Sequence, residues 1–180
     1  KPWQLSFHVD SPKIGQSVLK HELLHLLAAT FGSGPLKIAT NRFGVPNMAL
    51  TEGLAEAFSP RSPRFSVHEW TAALEKLDKR PDVESLLSPD GFYNSAARTA
   101  YTVCGSLLTF ASSHYGVEMV KDWYRSGYPP SPYTTKGIIS SWSEFLSQYP
   151  LSPQAQRLAE TYFARPSIFK KTCAHEMANM

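Results

Sequence analysis

Along residues 14 to about 30 apolar side chains recur at the three-and-four spacing of a helix, which predicts a largely buried helix there. Ahead of it, PWQLSFHV at 2–9 alternates as a short strand does, and Asp10-Ser11-Pro12 ends it. Residues 31–48 carry three glycines and two prolines and predict an irregular excursion. A second short helix is expected over 49–59, closed by Pro60 and Pro63, and a third, amphipathic and partly exposed, over 68–80. After a loop, a longer helix is expected over roughly 95–115, stopped by Gly116, then one over 116–127. PPSPYTTKG reads as a loop before two final helices at 138–149 and 152–164. No internal repeat or low-complexity tract is present, so the pattern predicts a mainly helical chain with one strand leading into its first helix.

Composition adds limits. With 180 residues and 42% hydrophobic content, the chain is one domain's worth and can bury a core. A net charge of +3, scattered along the chain, gives no ground for a nucleic-acid partner. No run of eighteen apolar residues spans a membrane. Both ends read as cuts within a longer protein, with 1–165 as the domain and 166–180 as a tail leading away from it. Cys104 lies in an apolar helical run and reads as a buried thiol; a bond to Cys173 is not readable from sequence.

The chemistry concentrates where it is least expected, inside the first greasy helix. VLKHELLHLLAAT at 18–30 contains His21, Glu22 and His25 as H-E-x-x-H. On a helix, His25 lies about 40° round from His21, so both imidazoles leave one face at the separation two ligands of one ion need. Glu22 lies about 100° from His21 but about 60° from His25, placed to flank a metal and hold a water. Val18, Leu19, Leu23, Leu24 and Leu27 are expected to bury the rest of the helix and keep it rigid. Core histidines satisfied by hydrogen bonds are the plainer alternative for a bare motif of this kind. A catalytic zinc needs a third protein ligand and an open position. The metzincin continuation fails, because Ala28 and Phe31 stand where its glycine and histidine belong. Downstream, LTEGLAEAF offers Glu52, with twenty-six residues between it and His25.

H-E-x-x-H followed by a helical E-G-x-A resembles the gluzincins, the thermolysin-like and aminopeptidase N-like zinc metallopeptidases, and most of all their peptidase MA-like branch. The resemblance covers roughly residues 2–165 and is strongest at 18–58. It implies an α+β, predominantly helical zincin-like domain of thermolysin type, with a helical C-terminal part and a short edge strand. It implies one Zn²⁺ held by His21, His25 and Glu52, with Glu22 as general base in peptide-bond hydrolysis and a peptide or protein as substrate. It further implies that Gly53 lets the two metal-bearing helices approach, and that Glu56, one turn beyond Glu52, orients a ligating histidine. AYTVCGSLLTFASSHYG at 100–116 resembles the following helix of these families, which makes Tyr101 the expected oxyanion donor, with His114 held in reserve. The spacing from Tyr101 to Gly105 is one residue longer than in the aminopeptidases, and the gap before Glu52 is longer than in thermolysin-like or aminopeptidase N-like enzymes, though it varies among peptidase MA-like sequences. Relatives of this kind are often extracytoplasmic and membrane-tethered. The rival expectation is a non-catalytic domain that keeps zinc as a staple. His8 and His68 have no partner at ligand spacing, the C-x-H of Cys173 and His175 is too sparse for a zinc site, and Arg98 is expected to be solvated or to hold a substrate carboxylate.

Overall fold

Capping decides where the helices start. The computed structural model describes residues 16–60, 64–88 and 90–164, and among them the chain forms nine helices and no strand. Helix α1 is Gln16–Ala29 and α2 is Met48–Phe58. Asn47 caps α2, its side chain accepting from the Leu50 N–H at 3.1 Å. Helix α3, Val67–Lys76, begins at Ser66, whose hydroxyl accepts from Glu69 N. The Glu69 carboxylate in turn accepts from Ser152 N at 3.2 Å, the residue that caps α9, Pro153–Tyr162. One glutamate so ties two helix starts together. Thr134 caps α8, Thr135–Ser147.

The stretch expected to be a loop before the long helix holds two single-turn helices, α4 (Val83–Leu86) and α5 (Gly91–Asn94). Asp82 caps α4 through Ser85 N, a local bond too short-ranged to leave a periodic hydrophobic signal. Helix α6, Ala97–Tyr115, stops at Gly116 as expected, and α7, Val117–Ser126, follows at once. The excursion at 31–48 is irregular, with an isolated bridge between Thr40 and Pro46 closed over the Asn41 side chain. The strand expected at 2–9 and the tail at 166–180 lie outside the described residues.

Helix α6 is the axle. It is buried along most of its length, through Ala100, Val103, Cys104, Leu107, Leu108 and Ala111. Helix α2 packs on it most extensively; α7, α3 and α8 take other sides, α9 lies on α3, and α1 lies on α2. The α2–α6 crossing is close because Gly53 faces Cys104: a Cβ at position 53 would sit 2.8 Å from the Cys104 Cβ and 3.1 Å from its carbonyl. Gly53 therefore brings α2 to α6, and the expectation that it brings α2 to α1 is corrected. Cys104 is a free thiol, fully buried, and burial holds its ionisation far above the ordinary thiol range.

A second correction concerns α1. Val18, Leu19, Leu23 and Leu27, expected in the core, are between 42% and 60% exposed, and Leu24 is half-buried. Helix α1 is covered on the side that meets α2, where His21 and Ala28 are buried, and among the described residues its opposite side is open. Periodicity alone could not tell the two sides apart, because both are apolar. Among the described residues no helix is long and apolar enough to cross a membrane.

Midway along α6, Ser106 accepts the indole N–H of Trp142 at 3.1 Å and lies 2.9 Å from His68 Nδ1. His68 packs against the rings of Phe145 and Tyr149. Burial, and then the neighbouring charge of His114, lower its pKa from 6.5 to about 4.

Two predictions follow from this packing. Gly53→Ala forces α2 and α6 apart, and alanine's better helix propensity offsets only part of that. The expected net loss is about 1–2 kcal/mol, seen as a fall in Tm of roughly 2–8 °C. For His68, the unfolded chain takes up a proton near pH 6.5 and the folded chain only near 4. Its contribution to stability is therefore complete above 6.5, declines on acidification through that window, and is lost below about 4. Urea unfolding at a series of pH values should show that slope, and His68→Gln should flatten it.

Candidate metal centre

The helical register of α1 points His21 and His25 the same way, toward α2. Helix α2 answers with Glu52 and Glu56, also one turn apart, and the first turn of α6 adds Tyr101. His21 Nε2 is 3.1 Å from Glu52 Oε2, and His25 Nε2 is 3.5 Å from the same oxygen. The imidazole centroids are 5.0 Å apart with the rings nearly perpendicular. One donor atom from each of His21, His25 and Glu52 lies within 4.8 Å of the others. Two nitrogens and one carboxylate oxygen, converging from two helices, form a donor set that suits a divalent ion of the zinc type.

The charges are arranged to match. Burial pushes the Glu52 carboxyl up, yet bonds from His21 and His25, the charge of His25 and the Tyr101 hydroxyl outweigh it, and its pKa falls from 4.5 to about 2. Glu52 is thus an ionised carboxylate, the form in which it can serve as a ligand. The Tyr101 ring lies 5.9 Å from that of His21 and its hydroxyl donates to Glu52. On the other side of His21, Nδ1 is 3.9 Å from Glu56 Oε2, with both residues buried. A ligating histidine whose second nitrogen faces a carboxylate is held in one ring orientation. Glu22 is half-buried on α1 and stands outside the three-residue cluster.

So His21, His25, Glu52, Glu56 and Tyr101 are all brought together, and Glu22 sits on the same helix beside them. His114 is not. It lies thirteen residues beyond Tyr101 on α6, roughly 20 Å along the axis, stacked on Phe110 at 4.0 Å with its Nδ1 at the Phe110 carbonyl. Its reserve role as oxyanion donor is corrected on that ground. Arg98 is half-buried and engaged elsewhere: it donates to the Tyr162 carbonyl at 2.8 Å and lies over the Tyr162 ring, fastening α9 to the start of α6. His8, Cys173 and His175 lie outside the described residues.

Gly105 was not singled out for the site. A Cβ there would meet Glu56 Cγ at 2.8 Å and Glu56 Cβ at 3.0 Å. The signal was present in the sequence, since a glycine inside a long apolar helix costs about 1 kcal/mol against alanine and so marks a place where space is needed. Compared with known proteins, the chain matches no family model, no curated protein and no solved structure.

Proposed function

We propose that this chain is a zinc-dependent metallopeptidase of zincin-like, gluzincin type, acting on a peptide or protein substrate. The observation that carries the reading is the convergence of His21, His25 and Glu52, from sequence positions far apart, onto one small volume. The donor set fits zinc, and the acidity of Glu52 keeps the carboxylate available.

When bound, zinc would polarise the scissile carbonyl and acidify a water there. The chain's own residues divide the remaining work. Glu22, about 60° round the helix from His25, accepts the proton of the attacking water and passes it to the leaving amine. Tyr101, whose hydroxyl already lies against Glu52, supplies a hydrogen bond to the negative oxygen that develops on the substrate. Glu56 holds the His21 ring from behind, so that Nε2 faces inward.

Metal analysis and a peptide-library cleavage assay test this together. The expected result is one zinc per chain, and cleavage that chelator abolishes and zinc restores. Glu22→Gln should keep the zinc and lose turnover by roughly 10²-fold or more. Glu52→Ala should weaken zinc binding itself. Folded, zinc-loaded wild-type protein that cleaves nothing would overturn the peptidase and leave a zinc-stapled scaffold in its place.

A further inference from the structure

We propose that Gly105 is a positioning residue for the metal centre: by carrying no side chain it seats Glu56 behind His21, and so fixes the orientation of a ligating ring. The proposal rests on the reading of the cluster as a zinc site and extends it to a residue on a third helix.

Glycine is the poorest helix former after proline, and Gly105 lies well inside α6, where alanine would otherwise serve better. What occupies the vacated space is the stem of Glu56. A Cβ at 105 would lie 2.8 Å from Glu56 Cγ, 3.0 Å from Glu56 Cβ and 3.4 Å from Ala57 N. The obstacle is the middle of the side chain rather than its tip, so turning the carboxylate does not relieve it. Glu56 is 4% exposed and has no solvent to swing into. Its Oε2 lies 3.9 Å from His21 Nδ1, the nitrogen on the far side of the ring from Glu52. Displacing the stem therefore shifts the carboxylate relative to His21. Gly53, in the same crossing, differs: its missing Cβ makes room for Cys104, not for Glu56. The two glycines separate helix spacing from support of the histidine.

Zinc affinity, measured by competition with a chromophoric chelator, and the imidazole ¹⁵N resonances of His21 in metal-free protein test this. Gly105→Ala and Glu56→Gln should each lower affinity about 10-fold or more. In a Glu56→Ala background, Gly105→Ala should cause no further loss, because the group it acts through is gone. The His21 ¹⁵N signals should move in Gly105→Ala while those of His114, held at the Phe110 carbonyl, stay. Wild-type affinity in Gly105→Ala, or an equal loss with and without Glu56, would overturn the proposal. If Gly105→Ala does not fold, unchanged affinity in Glu56→Gln overturns it instead. Should wild-type protein bind no zinc, the zinc reading falls separately. The seating of Glu56 is then judged by the ¹⁵N signals, and still ones in Gly105→Ala would end it.

Discussion

The distance between α2 and α6 governs everything at the site. Two glycines, one on each helix, let the backbones lie closer than any side chain would permit, Gly53 against Cys104 and Gly105 against the stem of Glu56. Because α2 carries Glu52 and Glu56 while α6 carries Tyr101, that one distance places three of the polar groups at once. Helix α1 then docks on α2 and adds the imidazoles. Close-packed interiors transmit displacement instead of absorbing it. A small change in the crossing is therefore delivered to the donor atoms.

A buried carboxylate is costly unless something offsets its lost hydration. Here burial does act against the charge of Glu52, and two imidazoles and a phenol more than reverse it. The contacts that offset its burial are thus the ones that keep Glu52 ionised. His68, on α3 against Ser106 of the long helix α6, shows the opposite outcome. With aromatic rings and Ser106 around it and His114 nearby, it has no carboxylate among the described residues to favour its proton, and burial keeps it neutral.

Much of this was legible beforehand. Seven of the nine helices follow from apolar spacing and from the Gly116 and Pro60 stops, and α4 and α5 escaped because a single capped turn has no period to detect. The pairing of His21 and His25 was readable because H-E-x-x-H sets residues one turn apart on one face of a helix, while Glu52 was legible only through the resemblance of its E-G-x-A to the gluzincins. What could not be read was which helix would lie against which. Gly53 looked as though it served α1 and in fact serves α6. Arg98 looked available and is committed to Tyr162. His114 shares a helix with Tyr101, and only the length of that helix separates their roles.

Helix α1 has leucines on nearly every side, exposed at Leu19, Leu23 and Leu27 and half-buried at Leu24 and Leu26. Burial of oily surface cannot choose among rotations of such a cylinder about its own axis, since each would hide a comparable area. The choice falls to the directional contacts that His21 and His25 make with Glu52. The residues proposed to grip an ion are thus also the azimuthal key of the helix that bears them. A version with leucine at both positions would stay greasy and helical, yet lose its reason for facing one way.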